Sequence, residues 1–407
     1  MTESQQVISD LKSVAAGFAE DVISRQKRRQ LDPNDFEQLK ETGFLLTGVP
    51  EDQGGLWKGP ALSARAYAEM VRTIAHGDPS VALVASMHPA VTGFFLGVES
   101  VDDEPKAWRK QRQWVIESAR DYWWGTVTSE PGSGGDILKT RSIATPEKDH
   151  FLITGDKHFG SGSGHADFMM TTARVEGSEL PELFFLQNKD EPWDGSTGCK
   201  MTVEWDGIGM SSTQSHAFRF EAFPAKKAAS REVLSRVAPI GSQMGNMLFA
   251  GVVLGVADNA LGFAKGKLEG KEQSMRSFEK TEWVRCQNEL WLAEQSFEGA
   301  LRAIEAGGDG AHIDAVRCKV TCAELIETAL SRMSKVVGGA SFSKAMPLAQ
   351  WTQDVKALGF LRPPLPLVFD EVAAISVGAR LDAGRVVSAA ALRGEAQLGF
   401  SLLSACC

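Results

Sequence analysis

Along the first third of the chain, apolar residues recur at the three-to-four spacing of an α-helix. Val7, Leu11, Val14, Phe18 and Val22 make one such stripe. Asp32-Pro33 reads as an N-cap followed by a first-turn proline; Phe36 and Leu39 then face inward and Gly43 closes a short helix. Pro50 to Gly55 reads as a loop. Helical spacing returns at Leu62, Ala66, Met70 and Ile74, and again from Val81 to Met87 after the cap-like Asp78-Pro79-Ser80. Trp108 and Val115 mark one more helix, ending near Ser118.

The pattern then changes. Short runs of strand composition lie at Trp123–Ser129, Phe151–Thr154, Phe168–Arg174, Leu183–Gln187, Met201–Trp205 and Ala217–Ala222, separated by Gly, Pro, Asp and Ser clusters. This spacing predicts a small β-sandwich or barrel. From Pro239 onward the helical patterns lengthen. Trp283, Cys286, Leu290, Ala293, Phe297, Leu301 and Ile304 form one stripe, Gly307 to Gly310 breaks it, and Val316, Val320, Ala323, Leu330 and Val337 form another. Two long helices joined by a short loop imply a four-helix bundle with their neighbours. Gly338-Gly339 ends the second helix, and Val368 to Leu392 reads as a final Ala- and Val-rich helix. The expectation is an α+β protein with a helical domain over 1–121, a β domain over 122–232, a helical bundle over 233–400 and a tail over 401–407.

At 407 residues the chain exceeds the ~250–300 residues at which single cores stop growing. It carries no uninterrupted run of ~18 apolar residues, so no membrane span is expected. Met1 to Asp10 lacks a basic segment followed by an apolar one, so a secretory signal is not expected either. A net charge of -9 argues against a nucleic-acid surface. Cys318 and Cys322 sit one helical turn apart, with no matching Cys or His spacing for zinc; together with Cys199, Cys286, Cys406 and Cys407 they read as thiols of a reduced cytoplasm.

Candidate chemistry gathers in two stretches. Gly125-Thr126-Val127-Thr128-Ser129-Glu130-Pro131-Gly132-Ser133-Gly134-Gly135-Asp136 alternates Thr and Val at strand spacing, then breaks into a turn whose hydroxyls, amides and glycines suit a flat ligand or a phosphate; an ordinary glycine-rich connection is the alternative. Asp156 to Phe168 again places an aromatic, Phe159, beside small hydroxyl residues such as Ser161. Of the histidines, His88 is the one placed to reach a substrate pocket, since it is expected to end an apolar helix and precedes Pro89, read as a helix breaker; a histidine bonded to backbone is the alternative.

These stretches resemble the flavin-holding strands of the acyl-CoA dehydrogenase superfamily. Ser129 to Asp136 is similar to that family's T-E-P-G-A-G-S-D signature, Phe159 and Ser161 to its flavin-stacking aromatic and hydroxyl, Pro50 to Gly55 to its P-E-x-x-G-G loop, Trp205 to Met210 to its W-x-x-L-G-M strand, and Val336 to Gly339 to its V-x-G-G segment. The resemblance implies an N-terminal all-α domain, a middle β-sandwich or barrel and a C-terminal four-helix bundle. It further implies FAD, or FMN or another reduced flavin, held by Thr128, Ser129, Gly134, Gly135, Phe159, Ser161, Lys271, Lys335, Gly338 and Gly339, in a dimer or tetramer. Lys271 or Lys267 stands where the family has a pyrophosphate-binding Arg, and Lys335 where it has a Gln.

The departures bear on mechanism. Where most acyl-CoA dehydrogenases carry the proton-abstracting Glu this chain has Arg362, which is no base but can pair an anionic group; Asp370 and Glu371 are the shifted alternatives. The alternative base position on the first bundle helix holds Gly245 or Asn246. Three readings follow: oxidation of an acyl thioester across a CH–CH bond with an electron-transfer flavoprotein as partner, oxygenation of a small molecule with reduced flavin delivered by a flavin reductase, or a binding protein on the same fold. The monooxygenase branch usually carries a His near Leu361, absent here. No G-x-G-x-x-G follows a strand, so no nicotinamide domain is expected.

Overall fold

A computed structural model describes residues 2–97, 106–178, 180–229, 231–308, 310–361 and 365–376. Six helices come first: α1 (Glu3–Glu20), α2 (Val22–Arg25), α3 (Pro33–Glu41), α4 (Pro60–Gly77), α5 (Pro79–Leu96) and α6 (Lys106–Ser118). The starts follow the caps read from sequence, as the Asp32 side chain accepts from the Asn34 amide and that of Asp78 from the Val81 amide. The first stripe breaks at Asp21, and the turn carries Arg25 inward to Asp35 and Asp78, at 2.5 and 2.7 Å.

Seven strands follow: β1 (Trp124–Thr126), β2 (Ile143–Glu147), β3 (His150–Gly160), β4 (Phe168–Val175), β5 (Pro181–Leu186), β6 (Cys199–Val203) and β7 (His216–Ala229). β2 was not expected, because its exposed face and Pro146 hide the alternation. β3 pairs antiparallel with β2 and β7, and β5 pairs antiparallel with β4 and β7. β2 and β1 run parallel to β4. The circuit β4–β2–β3–β7–β5 therefore closes on itself, with β1 added to β4 and β6 to β7. Val127, Ile153, Phe184, Phe218 and Phe220 fill its interior.

The remaining helices are α7 (Arg231–Leu268), α8 (Ser277–Ala306), α9 (Ala311–Val337), α10 (Leu348–Gly359) and α11 (Leu365–Ser376). The sequence expectation for Val368 to Leu392 lies outside the described residues beyond Ser376. The two helical blocks share one hydrophobic core running from Leu11 and Tyr67 through Leu248 and Val252 to Leu330. Where α4 crosses α7, a Cβ on Gly255 would stand 2.2 Å from the Arg72 carbonyl and one on Gly251 2.7 Å from that of Ala68. The Gly-x-x-x-Gly spacing thus serves backbone approach. Two helices, Pro79–Leu96 and Ile240–Leu268, are after all long and apolar enough to cross a membrane by length and composition, but 94% and 72% of their apolar windows are buried in this core.

The turn after β1 is fixed from beneath. Lys157 on β3 and Glu130 meet at 2.6 Å with side chains 0% and 3% exposed. The remaining lone pairs of Glu130 take the Arg141 amide at 2.6 Å and the Ser142 hydroxyl at 2.7 Å, as well as the Thr140 hydroxyl, while Lys157 donates to the Thr172 carbonyl. Burial works against the Glu130 carboxylate, yet Lys157 and these donors lower its pKa to about 2. Removing one partner leaves a buried uncompensated charge. Lys157→Met is expected to cost about 3–5 kcal/mol in urea unfolding, and the Glu130→Gln/Lys157→Met double variant less than the single one. Equal losses in the two proteins would show that the pair is not coupled.

Candidate functional site

A cavity of about 470 Å³ opens between the barrel, α5, α7 and α10. Its barrel wall is Thr126, Thr128 and Ser129 from β1 and the turn after it, together with Phe159, Ser161 and Ser215. An isolated bridge joins Ser129 to His158, with the His158 amide donating to the Ser129 carbonyl at 2.8 Å, and so sets the turn beside Phe159. Phe159 falls in the register shift between Lys157 and Gly160 and has φ +57; the residue is 59% exposed and lines the cavity. Positive φ in a bulky residue costs of the order of 1 kcal/mol and marks functional sites. Among the described residues, Phe159 and Met210 pay that cost in the cavity wall.

Hydroxyls form a chain behind this wall. Ser161 Oγ lies 2.8 Å from Ser215 Oγ, Ser215 Oγ lies 2.7 Å from Thr213 Oγ1, and Thr213 donates to the Met210 carbonyl at 2.9 Å. With Thr213 donating outward, Ser215 donates to Thr213 and Ser161 to Ser215. Ser161 then offers lone pairs to the cavity.

The rest of the lining is largely apolar: Leu83 and Met87 from α5, Phe249 from α7, Trp205 and Ile208 from the loop after β6, and Ala357, Phe360 and Leu361 at the end of α10, with Gln353 and Lys356 as its polar members there. That loop is locked to α10. The Met210 amide donates to Asp354 at 2.7 Å, Gln350 Nε2 donates to Asp354 at 3.0 Å, and a Cβ on Gly209 would lie 2.2 Å from the Gln353 carbonyl. Burial pushes the Asp354 carboxyl up to about 7 despite these two donors.

The site residues expected from sequence divide between this cavity and other places. Thr128, Ser129, Phe159 and Ser161 line it together. Gly134 and Gly135 do not; they make the turn beyond Ser133 at φ +62 and +83. Lys271 lies in the turn after α7. Lys335 is engaged by Glu282 at 3.1 Å, and Gly338 and Gly339 follow α9, also away from the cavity lining. His88 is fully buried one residue beyond the lining Met87. α5 does not end there but continues through Pro89 to Leu96; His88 Nε2 is 3.0 Å from the Leu45 carbonyl, the backbone-bonded alternative, and burial lowers its pKa to about 4 although that bond works the other way. Asp370 is exposed on α11, where the side chain of Glu371 is not described, and Arg362 lies outside the described residues. The lining residues Phe249, Gln353, Lys356 and Phe360 carry no local signal, because helices far apart in sequence bring them in. Trp205 and Met210 stood in a recognised motif without a role.

No model of a known protein family matches the chain. Among individual proteins it is 21% identical over 375 residues to the short-chain-specific acyl-CoA dehydrogenase of Clostridium acetobutylicum, covering 88% of this chain and 93% of that protein. It is 26% identical over 282 residues to the dibenzothiophene monooxygenase of Rhodococcus qingshengii, covering 63% of this chain and 62% of the other. FMN-bound TdsC from Paenibacillus sp. A11-2 superposes with a TM-score of 0.77 at 17% identity, over 92% of this chain and 98% of its own. The chain therefore has the acyl-CoA dehydrogenase fold. Its homologues are acyl-CoA dehydrogenases and acyl-CoA dehydrogenase-like flavin monooxygenases, as the motifs implied.

A raised carboxyl pKa makes the folded chain bind its proton more tightly than the unfolded chain. Asp354 thus contributes stability that is full below its unfolded value and lost as pH rises through about 7. Asp354→Asn keeps an acceptor for the Met210 amide. From pH 5 to pH 8 the variant is expected to gain about 2–3 kcal/mol on the parent in urea unfolding. Parallel stability curves would remove the buried acid from this account.

Proposed function

We propose that this protein is a two-component monooxygenase that uses reduced flavin and dioxygen on a small, largely apolar organic molecule. One observation carries the reading: no carboxylate or histidine is among the described side chains lining the cavity. Oxidation of an acyl thioester needs a base within hydrogen-bond reach of the α-proton. Oxygenation needs none from the protein.

The lining fits a flavin by its chemistry, with an aromatic face at Phe159 and hydroxyls at Thr128, Ser129 and Ser161 along one wall. When bound, reduced flavin supplies the two electrons with which one oxygen atom of dioxygen enters the substrate and the other leaves as water. Phe159 would stack on the ring, and the lone pairs of Ser161 would accept from a ring N–H, which the reduced form offers. Leu83, Met87 and Phe249 line the same cavity and would keep water from the bound ring. A flavin reductase would supply reduced FMN or FAD, and the exposed Phe278, Val284 and Trp291 along α8 support a dimer or tetramer.

The reading as an acyl-CoA dehydrogenase, with electron-transfer flavoprotein as acceptor, is favoured by the alignment spanning 88% of the chain. The two separate in one experiment. Chemically reduced FMN, labelled dioxygen and a panel of small heteroaromatics are expected to give product carrying one labelled oxygen atom. Reduction of bound FAD by acyl thioesters under anaerobic conditions, with no label incorporated, would decide for dehydrogenation. Phe159→Gly should raise thermal stability by relieving the positive φ and weaken flavin binding about tenfold in a fluorescence titration. Unchanged flavin affinity would take the ring out of the cofactor site.

A further inference from the structure

Lys356 is the only charged side chain among the described residues of the cavity lining. It lies on α10 with Gln353, Ala357 and Phe360, which share its face at helical spacing and line the cavity with it. That helix is held in place by Asp354 and by the clearance at Gly209, so the stem of Lys356 starts from a fixed backbone. Its described counter-ion, Glu327 on α9, is 3.3 Å away and is not part of the lining. The two side chains are 47% and 43% exposed. Such a pair contributes little and exchanges readily.

A ligand filling this cavity strips water from the ammonium on one side. The cost falls if the ligand carries a negative charge there and rises if it carries none. We propose that Lys356 selects an anionic oxyacid group on the molecule bound in the cavity, which adds a charge requirement to the otherwise apolar ligand inferred above and rests on that reading of the site. Two molecules carry this chemistry: FMN through its phosphate, and a substrate bearing a carboxylate or a sulfur oxyacid.

Wild-type protein, Lys356→Gln and Glu327→Gln are titrated with two matched pairs. Riboflavin against FMN is followed by flavin fluorescence, and 2-naphthalenemethanol against 2-naphthoate by tryptophan fluorescence, for which Trp205 is the reporter in the lining. Wild type is expected to favour the acidic member of at least one pair by about fivefold or more, a preference that shrinks as salt rises to about 0.5 M. Lys356→Gln should abolish the preference by weakening the acidic member alone, and Glu327→Gln should widen it. A preference confined to the flavin pair assigns the flavin phosphate, and one confined to the naphthalene pair assigns an acidic substrate. Equal affinities within both pairs in wild type, or a preference that survives Lys356→Gln, overturn the proposal. Failure of both flavins to bind sinks the flavin reading instead, and the naphthalene pair still decides the role of Lys356.

Discussion

The cavity exists in its present form because a carboxylate and an ammonium are buried together under one turn. Glu130 and Lys157, 2.6 Å apart in the barrel, join the turn after β1 to β3 at a point where the pairing is about to slip by a bulge. The surrounding hydroxyls and amides satisfy what the pair leaves over, so two costly charges become a rigid joint rather than a liability. Thr128 and Ser129 lie on one side of that joint and Phe159 and Ser161 on the other. Their meeting in one wall follows from it.

A second buried acid does the corresponding work at the opposite wall. Asp354 receives the Met210 amide, and the absence of a side chain at Gly209 lets the backbone of α10 lie directly on the loop. The barrel and the bundle are thereby held at a separation that leaves about 470 Å³ between them. The acid sits behind the wall rather than in it. Every described residue that faces the cavity is apolar, hydroxyl-bearing, amide or glycine, with Lys356 as the exception. A lining of this kind keeps water from whatever it encloses and offers neither carboxylate nor imidazole among its described side chains.

Much of the architecture was legible in the chain alone. Helical spacing in the outer thirds, strand composition in the middle and the caps at Asp32 and Asp78 are local signals, fixed by the geometry of a single element, and they placed the order of helices and strands. The barrel wall of the cavity was legible for a related reason, since Thr128, Ser129, Phe159 and Ser161 lie in short motifs on two segments that are neighbours across one bridge. β2 escaped because Thr145, Pro146 and Glu147 are exposed on both of its faces and Ala144 is its one buried residue, so no apolar alternation shows.

What the chain could not disclose is whatever depends on packing between distant elements. His88 follows an apolar helical run in either interpretation, and only burial against the Leu45 carbonyl turned it away from the cavity. Lys335 reads as an isolated cation, and its ion-pair partner Glu282 lies 53 residues earlier in the chain. The signature's Glu130 reads as part of a ligand-binding turn, yet its partner Lys157 sends it into the barrel. Sequence thus determined which elements form and which residues they carry. The fold alone decided which charges meet, because pairing and desolvation are set by neighbours that the chain order does not place together.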